Sequence, residues 1–135
     1  MNTDRLILDL AGGKSVVDWF GSFPSFHDGE IVGISLVQGQ TSSLSIHSWN
    51  TTDIVDANGY FVTDKHAVVT MEFTRIHQIE LSDFDFYHKG IVNSLKVSGT
   101  PELTEVAWSS SVGVEGLIRG TGLCFKLNPC LAPAG

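Results

Sequence analysis

A chain of 135 residues that is 42% hydrophobic and only 17% charged holds enough apolar material for one core and too little charge to stay unfolded. Its fifteen acidic and eight basic residues leave a formal charge of -7, and no two of Arg5, Lys14, Lys65, Arg75, Lys89, Lys96, Arg119 and Lys126 are adjacent. That sign and scatter exclude a nucleic-acid surface built on clustered cations and make a basic partner electrostatically easier than an acidic one.

After Met1 to Arg5, the apolar run Leu6-Ile7-Leu8 is broken by Asp9, too early for a signal-peptide core. No run of about 18 apolar residues occurs, so no helical membrane span is expected and a cytoplasmic location is the default. Ser15-Val16-Val17-Asp18 has the form of a capping box and predicts one or two helical turns over Lys14 to Phe20, ended by Gly21. A loop holding two valines is the alternative.

From Glu30 the hydrophobic period becomes two: Val32, Ile34 and Leu36 alternate with Gly33 and Ser35, as a half-buried strand requires. Leu44 and Ile46 continue the pattern after Gly39-Gln40-Thr41-Ser42, so these two runs read as a hairpin. Thr51 to Lys65, with Asn58-Gly59 inside it, reads as a polar connecting segment. Val69, Met71 and Phe73 mark a third strand and Ile79 and Leu81 a fourth. Ile91 to Val97 and Leu103 to Ser109 are two more, and Leu117 to Leu127 is a last one in which Gly120 and Gly122 mark a bulge or bend.

Short strands at regular spacing predict a mainly β (β-rich α+β) domain over residues 1–127, an antiparallel sandwich or open barrel of about six to eight strands with a short N-terminal helix. Residues 128–135, with two prolines and small side chains, read as a flexible tail. Trp19, Phe20 and Phe26 are expected to fold over one end of the sheet and to be largely buried.

The five histidines, His27, His47, His66, His77 and His88, include no pair at i, i+2 or i, i+4. Neither they nor Cys124 and Cys130 have the spacing of a metal site, so no metal and no cofactor is expected. The two cysteines read as thiols of a reducing compartment, although Pro129 would allow a turn that pairs them. No Gly-x-Ser-x-Gly elbow and no P-loop occurs.

His27-Asp28-Gly29-Glu30 is the densest ionisable cluster. In an extended chain Asp28 and Glu30 share one face and His27 the other, so catalysis would require the two carboxylates to converge on a substrate. The structural alternative is that Asp28 caps a turn, Gly29 relieves it, and His27 bonds a backbone carbonyl.

The run from Val16 to Ile31, with Trp19-Phe20-Gly21, then Phe23-Pro24-Ser25-Phe26-His27-Asp28-Gly29-Glu30, resembles the signature of the immunity protein 50 family. Family members carry Phe-Gly, then an aromatic-Pro-Ser-Phe-His-Asp-Ala-Glu, then an apolar strand; here Gly29 stands at the alanine. A weaker second match is Phe86 to Leu95, where Lys89-Gly90 replaces a Gln-Asn pair. The resemblance implies a β-rich bacterial protein that neutralises a co-encoded toxin, with Trp19, Phe20, Gly21, Pro24, Phe26, His27, Asp28 and Glu30 as the motif residues.

Two functions are therefore expected to compete. One is a cytoplasmic binding module without a catalytic residue that occludes a cognate toxin protein, steered by the exposed acids Asp53, Asp56, Asp83 and Asp85. The other is a small enzyme or ligand-binding protein with His27, Asp28 and Glu30 in one cleft beside His47 or His88.

Overall fold

The computed structural model describes residues 3–85 and 87–130. Two short helices, α1 (Thr3–Asp9) and α2 (Gly13–Phe20), precede β1 (Glu30–Ser35), β2 (Ser42–Val55), β3 (Phe61–Phe73), β4 (Arg75–Ser82), β5 (Gly90–Thr100), β6 (Leu103–Val112), β7 (Glu115–Thr121) and β8 (Cys124–Pro129). Among the described residues the strands form one antiparallel sheet in the order β4-β7-β6-β5-β1-β2-β3-β8. The chain is thus mainly β, with the strand number at the top of the expected range.

The sheet curls because two of its strands continue past a bend. β3 runs through Thr74 into β4 while β7 runs through Gly122 and Leu123 into β8, so that β3 pairs with β8 and β4 with β7. Thr74 N–H donates to the Thr121 carbonyl at 3.1 Å across this bend, and Gly122 takes φ 67° there. The Leu117 to Leu127 run, expected as one strand, is therefore two.

A second seam is short: β1 meets β5 only at Glu30 opposite Ile91 and Ile31 opposite Gly90. Between the seams, Leu44, Ile46, Val69, Met71 and Phe125 from one half of the sheet share a single core with Val92, Val97, Val106, Trp108 and Ile118 from the other. In β2, β3 and β6 these positions lie two apart, whereas in β5 the irregularity between Val92 and Ser94 shifts the face, so that Val92 and Val97, an odd number of residues apart, both point inward.

Helix α2 begins one residue before the expected start, and not by a capping box. Its N-cap is Gly12 in the left-handed conformation with no side-chain bond; Ser15 lies inside the helix and Asp18 is bound by Lys14 at 2.6 Å. Close packing sets the start, because a Cβ on Gly12 would run into the Phe125 carbonyl and one on Gly13 into the Ile7 carbonyl. At the other end Gly21, also left-handed, donates its N–H to the Val17 carbonyl at 2.8 Å. Helix α1 was not expected: Leu6, Ile7 and Leu10 are buried at helical spacing while Leu8 is exposed, and the helix packs against β5 and α2.

The segment from Thr51 to Lys65 is not a connecting loop. β2 and β3 extend through it as the arms of one hairpin whose turn is only Asp56 to Tyr60. Its β-branched residues favour extended backbone, but outside the core there is no buried face to impose a polar–apolar alternation. Asn128 and Pro129, expected in the tail, belong to β8 opposite Val68 and Ala67 of β3, which still offer ladder partners there. Cys130 N–H donates to the His66 carbonyl at 3.0 Å. Cys124 and Cys130 are both free thiols. Phe86 and residues 131–135 lie outside the described residues. No described helix is long and apolar enough to cross a membrane.

Candidate functional site

The motif run forms the end of α2 and the loop into β1. Phe20 and Phe26 are buried, whereas Trp19, expected to be largely buried, is only half-buried: it packs at the margin of the core, and its Nε1–H donates to the Lys65 carbonyl at 2.9 Å. Lys65 Nζ also sits 4.7 Å from the Trp19 ring centroid, a cation–π contact. The Phe20 carbonyl accepts from Asn50 Nδ2 at 2.8 Å, so α2 is tied to both β2 and β3. Phe23 meets Phe26 and Phe125 edge-on at centroid distances of 5.5 and 5.6 Å.

Phe26 and Asp28 both have positive φ, 61° and 65°, which turns the chain sharply enough to reach β5. Asp28 N–H donates to the Val92 carbonyl and Val92 N–H to the Gly29 carbonyl, each at 2.9 Å. Gly29 is confined by Phe26, Ile46 and His47. His27 Nδ1 lies 2.8 Å from the Asn93 carbonyl, a bond in which the ring nitrogen donates and which leaves Nε2 facing Asp28 Oδ1 at 3.6 Å. Both side chains stay exposed.

The three ionisable motif residues do not form one cleft. His27 and Asp28 line a depression of about 460 Å³ with Phe23, Pro24, Trp49 and Asn50. Glu30 is outside it, opposite His47 in the ladder, with Oε2 3.4 Å from Lys89 Nζ. His88 does not line that depression either; it is bonded through Nδ1 to Asp85 Oδ2 at 3.1 Å. The turn at Asp28 separates it from Glu30, because it ends the extended run in which the two would share a face.

Beside the depression lies a cluster that the sequence spacing does not show. His47 Nε2 is 3.0 Å from His66 Nδ1, and His66 Nε2 is 2.8 Å from Thr63 Oγ1. Both imidazoles are buried, and Trp49, which lines the depression, stacks on His66 at 5.6 Å and lies against His47 at 5.1 Å. The β2–β3 ladder is irregular here, with Ser48 opposite Ala67 but Asn50 opposite Asp64, and Lys65 has φ 55°. This bulge on β3 swings His66 over His47. Burial, and then the neighbouring His47, hold the His66 pKa below its ordinary value, against an opposing pull from Asp64. One proton can occupy the space between the two rings, so Thr63, His66 and His47 form a row of hydrogen bonds whose direction follows the His66 tautomer. Thr63 does not line the depression, so its hydroxyl is not presented to anything bound there.

Asp53 and Asp56 lie at the β2–β3 hairpin tip, and Asp83 and Asp85 lie between β4 and β5; all are exposed. Asp56 Oδ1 accepts the N–H groups of Asn58 and Tyr60, and Asp85 Oδ1 those of Tyr87 and His88, so these two cap their own turns. Backbone bonding from Tyr87, then the His88 side chain, lowers the Asp85 pKa. Exposed apolar side chains stand beside the acids: Ile54, Val55, Tyr60 and Phe61 at the tip, Phe84 and Tyr87 in the second segment. Among the described residues no three His, Cys, Asp or Glu side chains are grouped to hold a metal ion. No family model, curated protein or solved structure matches the chain.

Proposed function

We propose that this chain is a cytoplasmic binding module of the immunity-protein kind, which neutralises a cognate toxin by direct contact through the β2–β3 hairpin tip. The observation that supports this reading is the composition of that tip: Ile54, Val55, Tyr60 and Phe61 are 65, 53, 72 and 60% exposed on an arm with Asp53, Asp56 and Asp64 and no cation between Asn50 and Asp64. Side chains this apolar cost solubility when left in water and gain most when a partner desolvates them. An aromatic and aliphatic centre bordered by like charges is the pattern in which a few anchors carry affinity and the rim sets the association rate.

The motif residues serve this module by construction. Trp19 and Phe20 clamp α2 onto β3 and β2 at the base of the same hairpin, through Lys65 and Asn50, and thus hold the arm in place. The test is co-purification with the product of the neighbouring gene, followed by association kinetics at low and high salt. A complex lost on Tyr60→Ala and Phe61→Ala, with an association rate that falls as salt rises, supports the reading. Failure to bind that product, or a complex indifferent to both changes, overturns it.

A further inference from the structure

The far end of β2 carries a second feature, independent of the hairpin tip. β2 begins at Ser42 opposite Phe73, the last residue of β3, and β3 passes through Thr74 directly into β4. β4 pairs with β7 along one edge only. On the edge that prolongs the β2 side of β3 no strand of the described residues follows, and the β1–β2 turn stands there instead. Between that turn and β4 runs a groove of about 690 Å³, lined by Leu36, Val37, Thr74, Arg75, Ile76 and Ile79 among others.

Three properties of this groove specify an occupant. Its β4 side is a bare strand edge, a row of amide donors and carbonyl acceptors that only another backbone matches along its length. Its lining is apolar at Leu36, Val37, Ile76 and Ile79, with Leu36 and Val37 exposed. At its β3 end stands Arg75, whose side chain has no hydrogen-bond or ion-pair partner among the described residues, in a protein where acids outnumber bases fifteen to eight. An unpaired guanidinium next to an apolar slot complements a carboxylate.

We propose that this groove receives an extended peptide segment, added to β4 as a further strand, with apolar side chains against Leu36, Val37, Ile76 and Ile79 and a carboxylate on Arg75. A second copy of the chain, which would offer its own β4 edge, is a separate outcome of the test and not the occupant proposed. From Ser42 to Val55 an extended strand spans about 40 Å, so this site and the hairpin tip can be occupied separately.

The experiment uses the full chain and a pool of fluorescein-labelled hexapeptides ending in a free carboxylate, with alternate positions varied among valine, isoleucine, leucine and phenylalanine. At least one member is expected to saturate in fluorescence anisotropy below about 1 mM. That peptide should lose about tenfold or more affinity when the amides along one edge are N-methylated, and roughly three- to tenfold on C-terminal amidation or in Arg75→Gln. Val37→Glu at the exposed lip should weaken it as well, while Tyr60→Ala should not, which separates this site from the toxin-binding surface. Slowed exchange of β4 amides on peptide addition completes the expected result. Absence of saturation across the pool, binding indifferent to N-methylation, decanoate binding that matches the best peptide, or a peptide-free dimer that protects β4 would each overturn the proposal.

Discussion

His47 Nε2 and His66 Nδ1 are 3.0 Å apart in a buried pair that has room for one proton between them. The groups around them are Thr63 and Asp64 on β3, Trp49 on β2, and Glu30 of β1, which is opposite His47 and held by Lys89. The lowered His66 pKa means that below the unfolded value of 6.5 the unfolded chain takes up a proton that the folded chain resists. The stability contributed by the neutral ring is therefore whole above 6.5 and lost as pH falls from there through the folded pKa. Urea unfolding between about pH 8 and pH 5 should show a steeper loss in the natural chain than in His66→Gln. Parallel pH profiles would show that the pair does not control acid stability.

Phe26 is 1% exposed and Trp19 is half-buried, so the two motif aromatics should respond differently to truncation. Phe26→Ala should cost about 3–5 kcal/mol, since it removes a buried ring and its edge-on contact with Phe23 and leaves a cavity. Trp19→Phe, which keeps a ring for Lys65 but loses the indole donor to its carbonyl, should cost about 1 kcal/mol. Chemical denaturation separates them; equal losses would mean that the Lys65 carbonyl bond is worth as much as the core.

Gly12 and Gly21 flank α2 with similar angles, φ 79° and 87°, but different surroundings. Alanine at Gly21 meets nothing within 4 Å and should cost only the left-handed backbone penalty, about 1–2 kcal/mol. Alanine at Gly12 adds a collision with the Phe125 backbone, an overpacking cost of about 1–3 kcal/mol beyond that. Thermal melts of the two variants should therefore differ in that order, and coincident melts would remove the packing argument for where α2 begins.

Core-facing strands were legible where burial of one face writes itself as alternation, at Val69, Met71 and Phe73 or at Leu44 and Ile46, but not in β1, where the irregularity between Ile31 and Gly33 buries Ile31 and leaves Val32 and Leu36, expected on the inner face, exposed. The outer arms of β2 and β3 were not, since both their faces meet solvent. Ser15 to Asp18 misled for a related reason: a local hydrogen-bonding pattern was outweighed by the close approach of Gly12 to Phe125, a contact between residues far apart in sequence. Within the motif, the backbone bond of His27 and the turn at Asp28 were among the readings open from sequence. The His47–His66 pair was not, because it depends on a bulge at Lys65 whose only local trace is a positive φ on a lysine. The apolar tip had a visible signal in Ile54-Val55 and Tyr60-Phe61 flanking Asn58-Gly59, a hairpin pattern hidden by the polar residues around it.

The four steering acids divide into two kinds, and the proposed toxin contact should divide with them. Asp53 and Asp83 accept no hydrogen bond among the described residues, whereas Asp56 and Asp85 hold the N–H groups of their own turns. Neutralising Asp53→Asn should leave stability within about 0.5 kcal/mol of the natural chain, since surface changes away from structural bonds are nearly silent. It should slow association with a basic partner, more at low salt than at high salt, because the lost contribution is long-range steering. Asp56→Ala should do the same and also loosen the tip that presents Tyr60 and Phe61, so its dissociation should quicken as well as its association slow. Tyr60→Ala, 72% exposed in the free chain, should leave the fold intact and act almost wholly on dissociation. Stopped-flow association and dissociation rates for these three variants, at about 20 and 300 mM salt, resolve the pattern. Equal effects of Asp53→Asn and Tyr60→Ala on dissociation, or an association rate of Asp53→Asn that is unchanged at low salt, would assign these acids to solubility and not to partner recognition.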